Sequence, residues 1–407
     1  MNNTNPKGAL SGLRIADFSW VGAGPRATKD LADNGAIVVK IESRRRLDLG
    51  RLSPPFKDGK RHPDGSAFFA QTNTGKLGVT INLGDPRGVE LAKKLIVWAD
   101  VVVENFSKGY LDRLGLSFAV MRALNPRVIL VSVSVAGRSG PLSSMRGYGN
   151  SAAALSGQAA LAGQPHQAPH MPPFAYGDVV APLFATVAVL AALEQRRKTG
   201  VGQHIDVSQV ESLMHTLAGT FARLQAGAGL EELRGNRSVV ASPHNVFPCR
   251  GPDQWCAIAA ETDAQFAALC QAMRQPGLAH DPRFATLAAR KANETDLEAL
   301  IAAWTRGQDK HLLGQALRAL GIPAAPVQDG REVFTDPNLI LAGHYQRINH
   351  AVLGECDMPA PPMQFSRSAI EVGPPPCLGE HNALVFGEWL GIDAAELERL
   401  AAEGVLA

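Results

Sequence analysis

Apolar and polar positions alternate along the first 140 residues in a way that predicts strands separated by helices. Five apolar runs suit buried strands: LRIADFS, AIVVKIE, LGVTINL, DVVVENF and PRVILVSVSV. The helix RATKDLADNG ends at Gly35, and the helix after the third strand begins at Asp85-Pro86, with the acid as N-cap and the proline in the first turn. Strands that alternate with helices predict an α/β fold with a parallel sheet covered on both faces.

The pattern changes after the fifth predicted strand. Residues 137–177 are rich in glycine, proline and serine and suit an ordered loop around a short helix. Asp178 precedes an apolar helix, VVAPLFATVAVLAALEQRRK, that ends at Thr199-Gly200, and a second helix is predicted over 207–225. This part of the chain therefore contributes more helices to the same parallel sheet.

The segment from 230 to 330 has a different character. Its short strands SPHNVFPC and QWCAIAA lie among alanine-rich helices, which is typical of a small α+β domain. A proline-rich segment and a last helix near 394–402 follow. We therefore predict a discontinuous large domain, residues 1–225 plus 331–407, and a small α+β domain, residues 230–330.

Composition and charge exclude several classes of partner. The 407 residues are 45% apolar and 19% charged, as in soluble globular proteins, and the net charge of +2 gives no broad field for nucleic acid. The longest uncharged apolar run, 179–193, is shorter than the roughly 20 residues that cross a bilayer. The five cysteines form no C-x-x-C pair and the histidines are scattered, so we predict reduced thiols, no metal site and a cytoplasmic protein.

The turn after the first strand resembles a nucleotide site. Gly22-Ala23-Gly24, Ala27 and Glu42 match the G-x-G-x-x-A fingerprint and its ribose-binding acid. A tight turn without a ligand would give the same pattern. Two details weaken the case for NAD. Pro25 removes one amide donor from the turn. Arg44–Arg46 follow the second strand, and NAD has no phosphate on its ribose that would need them. A nucleotide with an additional ribose phosphate suits these arginines better.

Three further residues suggest chemistry. Arg113 and Arg146 each follow the carboxyl end of a predicted strand, where open α/β sheets bind ligands and where arginine suits phosphate. Asp178 stands at a helix start, and two interpretations remain open. It is either a plain N-cap or a carboxylate that the helix end keeps ionised, which could attack an activated acyl group.

At these residues the chain resembles the family III CoA-transferases, the formyl-CoA and carnitine CoA-transferase family. The similar stretches span nearly the whole chain: GLRIADFSWVGAGP, LADNGAIVVKIE, VVVENFSKGYLDRLGL, NPRVILVSVS, GDVVAPLFATVAVLAALEQRRKTGVGQHIDVS and LGEHNALVFGEWLG. The resemblance implies that the large domain is Rossmann-like and binds coenzyme A, whose phosphates account for the basic residues. It also implies an interlocked homodimer, or a heteromer with a related subunit.

The resemblance assigns roles residue by residue. It makes Asp178 the catalytic aspartate, and the coenzyme A-binding positions are Val21, Gly22, Ala23, Arg44, Ile81, Leu83, Asn105, Phe106, Arg113, Leu114, Arg146 and Tyr148. Arg44 stands in for a basic residue that often follows the strand-ending glutamate directly, because Ser43 intervenes here. The glycine run of the formyl-CoA/oxalate members is absent from SPHNVFPCRGPDQW, so a larger organic acid is the better acceptor.

The expected activity is transfer of coenzyme A from an acyl-CoA, with succinyl-CoA favoured, to an organic acid. The resemblance implies an aspartyl anhydride and an aspartyl-CoA thioester, with coenzyme A as substrate and no tightly bound cofactor. Three alternatives stay open: an α-methylacyl-CoA racemase, whose histidine is replaced here by Tyr148; a non-catalytic coenzyme A-binding subunit of a heteromeric transferase; and an NAD-dependent oxidoreductase that rests on the fingerprint alone.

Overall fold

The computed structural model describes residues 8–229 and 233–407, which form two compact units. The large unit contains residues 8–159, 171–229 and 340–407. The small unit contains residues 160–170 and 233–339.

The strands of the described residues are, in chain order, β1 (Arg14–Asp17), β2 (Ile37–Glu42), β3 (Leu77–Thr80), β4 (Val101–Glu104), β5 (Ile129–Ser134), β6 (His204–Ser208), β7 (His244–Pro248), β8 (Trp255–Ala259), β9 (Ala324–Pro326), β10 (Tyr345–His350) and β11 (Gly354–Pro359).

The α-helices are α1 (Ala23–Asp33), α2 (Ala67–Thr72), α3 (Pro86–Trp98), α4 (Tyr110–Arg113), α5 (Phe118–Leu124), α6 (Gly149–Leu155), α7 (Gly177–Thr199), α8 (Gln209–His215), α9 (Ala218–Gln225), α10 (Asp263–Ala272), α11 (Leu287–Ala292), α12 (Glu294–Thr305), α13 (Lys310–Ala319), α14 (Gly330–Phe334), α15 (Pro337–Leu341) and α16 (Ala394–Ala402).

The large unit is built on a six-stranded sheet in the order β3-β2-β1-β4-β5-β6, with every pair parallel. This is the Rossmann strand order, so the predicted α/β class and parallel sheet are confirmed. In the central register, Ile15 of β1 lies between Val38 of β2 and Val101 of β4. The order reverses between β1 and β4, and ligands bind outside the carboxyl ends of the strands at such a reversal.

Helices cover both faces of this sheet. One face packs against α1 and α7 through small side chains such as Ala27 and Ala185, while α3 covers the other face through Leu91 and Leu95. The helix start predicted at Asp85 is confirmed, because its carboxylate accepts a 2.9 Å hydrogen bond from the N–H of Arg87. The unit also contains an antiparallel hairpin, β10–β11.

The region around β6 differs from the prediction. The helix predicted over 207–225 is wrong at its start, because His204–Ser208 form the edge strand β6, and it is split into α8 and α9. In the edge strand, exposed His204 and Asp206 flank the less exposed Ile205, whereas Val207 and Ser208 are buried. Ser208 then caps α8 by accepting from the N–H of Glu211.

Helix α7 is the candidate membrane span of the described residues by length and composition. Its packing is that of a core helix, because Ala181, Ala185, Val189 and Ala192 are buried against the sheet and α1. The opposite side of α7 is apolar and exposed; Val187, for example, is 65% exposed.

The small unit contains an antiparallel sheet in the order β7-β8-β9. Helices α10, α12 and α13 supply buried side chains to its core, among them Phe266, Leu269, Ile301 and Leu317. Its two longer strands are those that SPHNVFPC and QWCAIAA predict.

Candidate active site

A cavity of about 490 Å³ lies in the large unit at the carboxyl edge of the parallel sheet. The segments that follow β1, β4 and β5 line it, together with the first turns of α7 and α8. This is where the reversal between β1 and β4 predicts a ligand site. Nine of the residues that the sequence singled out meet here: Val21, Gly22, Ala23, Asn105, Phe106, Arg113, Arg146, Tyr148 and Asp178.

A second, smaller cavity of about 130 Å³ contains two more of the predicted residues, Ile81 and Leu83. Both cavities are lined by Trp20, Arg46, Phe106 and Tyr110.

The remaining two predicted residues line neither of these cavities. The guanidinium of Arg44 donates instead to the carbonyl of Leu378 at 3.0 Å. Leu114 is a partly buried member of the apolar core between the sheet and α3.

Hydrogen bonds from distant segments fix the turn after β1. The side chain of Asn105 accepts from the N–H of Trp20 and donates to its carbonyl, both at 2.7 Å. Asp48 accepts from the N–H of Val21 at 2.9 Å, and the buried Lys40 lies 2.9 Å from the same carboxylate. Val21 has a φ of 64°, a left-handed conformation that is rare for a β-branched residue, and these bonds hold it there.

A buried charge cluster lies directly beneath this turn. Asp17 accepts from the hydroxyl of Thr28 at 2.6 Å and from the ammonium of Lys76 at 3.0 Å. Burial alone would raise the pKa of Asp17, but the charges of Lys76 and Lys40 hold that pKa below its usual value. Lys76 also donates to the carbonyl of Pro25 in α1, so the cluster ties α1 to the end of β1.

Asp178 lies in the first turn of α7, and its carboxylate does not serve as the cap of that helix. Its Oδ1 accepts from the side-chain amide of Gln209 at 2.7 Å, and its Oδ2 accepts from the N–H of Gly149 at 3.3 Å. The plain N-cap interpretation is therefore wrong. The carboxylate is half-buried and lines the cavity.

Glycines surround this carboxylate because there is no room for side chains. A Cβ added to Gly22 would lie 3.1 Å from the Cγ of Asp178, and one added to Gly149 would lie 2.5 Å from its backbone nitrogen. A Cβ added to Gly177 would lie only 2.9 Å from the Cα of Gly149. The backbone starts of α1 and α6 can approach Asp178 so closely only because these residues are glycines.

Burial raises the pKa of the Asp178 carboxyl above its usual value. The hydrogen bonds from Gly149 and Gln209 and the charge of Arg26 lower it, but desolvation is the larger effect. The donors around the helix start therefore favour the ionised form, as expected, but burial opposes them. Loss of water affects both oxygens of the carboxylate. The hydrogen bonds that oppose this effect are unequal, because the bond from Gln209 is short (2.7 Å) and the contact with Gly149 is long (3.3 Å).

Sequence reasoning missed several cavity residues. Trp20, Arg46, Lys108, Tyr110, Ser134 and Gln209 all line the large cavity. Arg46 belongs to the basic run that was noticed, and its guanidinium lies 5.4 Å from the ring centroid of Trp20. Gln209 falls in a segment predicted as ordinary helix, so no local pattern could have revealed it.

The lining suits an anionic ligand. Four basic side chains, those of Arg46, Lys108, Arg113 and Arg146, line the large cavity beside aromatic rings. Guanidinium and ammonium groups bind phosphates and carboxylates, and aromatic rings can cover a flat base. Within residues 8–229 and 233–407, no group of three or more His, Cys, Asp or Glu side chains is placed to hold a metal ion.

Comparison with known sequences gives one consistent result. The sequence model of a family described as CoA-transferase family III matches residues 10–382. A succinyl-CoA–D-citramalate CoA-transferase of Chloroflexus aurantiacus is 32% identical, and the alignment covers all of both chains. A succinyl-CoA:glutarate CoA-transferase of Mus musculus is 31% identical over 98% of this chain and 90% of its own.

Among solved structures, a CAIB/BAIF family protein from Brucella suis is similar with a TM-score of 0.87. It is 31% identical, and the match covers 94% of this chain and all of that protein. The fold is therefore shared by both proteins along nearly their whole length.

Proposed function

This chain belongs to CoA-transferase family III and is a CoA-transferase, and we propose that it transfers coenzyme A from succinyl-CoA to a dicarboxylic acid, with Asp178 as nucleophile. One observation carries the proposal. A half-buried carboxylate, not used as a helix cap, stands in the cavity at the reversal point of a Rossmann sheet. Such a group is free to attack a thioester bound beside it.

The transfer needs no ATP because one thioester is exchanged for another. Asp178 attacks the carbonyl of the donor acyl-CoA, which gives an aspartyl-acyl anhydride and the thiolate of coenzyme A. The thiolate attacks the aspartyl carbonyl, which releases the donor acid and leaves an aspartyl-CoA thioester. The acceptor carboxylate then runs the two steps in reverse. An anhydride remains activated enough for the thiolate to return, whereas a serine ester would not.

The residues around Asp178 would bind and orient the acyl-CoA. Arg46, shared by both cavities, and Arg113 would hold the phosphates, with Ile81 and Leu83 beside the adenine. Binding energy from this remote part of the substrate can position the reacting thioester. Coenzyme A is a substrate in this scheme, and no tightly bound cofactor is required.

Two lines support the choice of substrates. The names of the two relatives combine succinyl-CoA with citramalate or glutarate, which are dicarboxylic acids. Lys108 and Arg146 line the same cavity as Asp178 and could bind the second carboxylate of such an acceptor. We therefore place dicarboxylic acids before aromatic or carnitine-like acids.

We further propose a cytoplasmic homodimer, with a heteromer of related subunits as the alternative. The outward side of α7 carries an exposed apolar stripe, Leu183, Val187 and Leu190, one helical turn apart. An exposed apolar stripe favours burial against another chain. The molar mass in solution, measured by light scattering, separates a dimer from a monomer of 43.2 kDa.

The decisive experiment follows the covalent intermediate. The wild-type chain is incubated with succinyl-CoA and hydroxylamine, and the modified peptide is located by mass spectrometry. We expect modification at Asp178, and Asp178→Asn should lose transfer to glutarate or citramalate. Activity of Asp178→Ala within about tenfold of wild type would reject the assignment, since loss of a covalent nucleophile costs far more. Proton exchange of a 2-methylacyl-CoA in deuterated water, without transfer, would favour a racemase instead.

A further inference from the structure

We propose that Gln209 is a second catalytic residue, whose side-chain amide donates a hydrogen bond to the Asp178 oxygen that becomes negatively charged in the covalent steps. This inference rests on the proposed function, because it needs Asp178 to be the nucleophile.

The position of Gln209 is fixed, and its amide is committed to Asp178. It is the first residue of α8, 4% exposed, and its Nε2 lies 2.7 Å from Oδ1 of Asp178. Its Oε1 is buried and has no hydrogen-bond partner among the described residues. Among the described residues, the bond from Nε2 to Asp178 is therefore the side-chain hydrogen bond that orients Gln209.

The two oxygens of Asp178 are held unequally, which divides their roles. Oδ1 has the short bond from Gln209, whereas Oδ2 has only the 3.3 Å contact with the N–H of Gly149. Oδ2 also lies beside Gly22, where any side chain would cover this oxygen, because its Cβ would be 3.2 Å away. Oδ2 is therefore the oxygen that attacks, and Oδ1 becomes the carbonyl oxygen of the anhydride and of the thioester.

The charge on Oδ1 follows from the electron balance. The thiolate of coenzyme A forms a C–S bond to Cγ of Asp178, and the electron pair of the Cγ–Oδ1 double bond moves onto Oδ1. When that pair returns, the bond from Cγ to the bridging oxygen breaks and the donor acid leaves as a carboxylate. In the second half of the cycle the acceptor carboxylate attacks Cγ, the charge again rests on Oδ1, and the thiolate leaves.

The amide therefore binds the transition state more tightly than the intermediates before it. A carbonyl oxygen of an anhydride or thioester accepts a weak hydrogen bond, while a full oxyanion at the same position accepts a strong one. Loss of a single donor of this kind lowers kcat by roughly 10²- to 10³-fold. The attack on the donor carbonyl, which places charge on the donor rather than on Oδ1, should be affected much less.

The test compares Gln209→Met with Gln158→Met. Methionine keeps the length of the side chain but cannot donate, and Gln158 is a matched control whose Oε1 is also buried and unpartnered, outside the cavity lining. Steady-state transfer from succinyl-CoA to glutarate is measured for both variants. Rapid-quench mass spectrometry follows the mass increase of coenzyme A on Asp178, and thermal unfolding confirms that each variant is folded.

We expect Gln209→Met to lower kcat and kcat/KM together by about 10²-fold or more, with slow appearance of the CoA adduct on Asp178. Gln158→Met should retain wild-type rates. Adduct formation in Gln209→Met at the wild-type rate would overturn the inference while leaving Asp178 as nucleophile. A rise in KM with unchanged kcat would also overturn it, since that is the effect of lost binding alone. Absence of any adduct in the wild-type chain would reject the proposed function itself.

Discussion

Replacing Gly22 with alanine tests how closely the turn after β1 encloses Asp178, the proposed nucleophile. The added Cβ would lie 3.1 Å from both Cβ and Cγ of Asp178 and 3.2 Å from its Oδ2. These contacts are tighter than ordinary van der Waals separations, so the carboxylate must move by a few tenths of an ångström. Oδ2 is the oxygen proposed to attack, so the displacement falls on the reacting atom.

The size of the effect follows from the geometry. Gly22 has φ −113° and ψ −75°, which an alanine can adopt, so the backbone contributes little strain. A misplacement of 1 Å can cost roughly 100-fold in rate, and the smaller shift here also blocks part of the approach to Oδ2. We expect kcat to fall roughly 10- to 100-fold, or about 1.4 to 2.7 kcal/mol in the activation free energy. The free energy of unfolding should change by less than about 1 kcal/mol.

The assay is steady-state transfer from succinyl-CoA to glutarate, with chemical denaturation run in parallel. Gly219→Ala is the matched control, because nothing lies within 4 Å of its built Cβ and it stands in helix α9. That variant should keep its activity. Wild-type kcat in Gly22→Ala would show that the turn does not crowd the nucleophile. An unfolded Gly22→Ala chain would show that the contact cannot relax, and would refute the calculation of a local effect.

Three further predictions concern the same region. Asp178, as the proposed nucleophile, must be ionised to react, and burial raises its pKa. The value of kcat/KM should therefore fall as the pH is lowered, with its midpoint above the ordinary pKa of 3.8, and a midpoint at or below 3.8 would contradict this. Asn105→Ala removes two hydrogen bonds to the backbone of Trp20 and should lower both kcat/KM and the free energy of unfolding, the latter by about 1–3 kcal/mol in urea titration. Lys76→Met removes the ammonium that pairs with the buried carboxylate of Asp17, and it should lower the free energy of unfolding by about 3–5 kcal/mol in the same titration. An unchanged urea midpoint would show that the charge of Lys40 alone is enough to stabilise Asp17.

The fold was largely predictable because its signals are local. Five of the six parallel strands lie in mainly apolar runs, and the caps at Asp85 and Gly200 mark where helices begin and end. The sixth strand was missed because HIDVS alternates polar and apolar residues too briefly to separate it from the helix that follows.

Residues that line the candidate cavity were predicted only where a motif or a resemblance pointed to them. A run of three arginines does not tell which one faces a ligand. Arg44 turns to the carbonyl of Leu378, more than 300 residues away in sequence, while Arg46 reaches the cavities. Gln209 meets Asp178 only because α8 starts beside α7 in the folded chain. Contacts of this kind are set by tertiary packing and leave no local pattern.

Two effects act in opposite directions on the pKa of Asp178: burial raises it, and the surrounding hydrogen-bond donors lower it. A helix start surrounded by donors would favour the carboxylate, and a strongly stabilised carboxylate is a weak nucleophile. Burial between Gly22 and Gly149 removes water from the group and outweighs those donors, so the ionised form is less stabilised and more reactive. The amide of Gln209 lowers this pKa by less than burial raises it, and it faces Oδ1, the oxygen on which charge collects in the proposed covalent steps. If Asp178 is the nucleophile, as proposed, this arrangement favours the transition state over the resting carboxylate, which is what catalysis by differential binding requires.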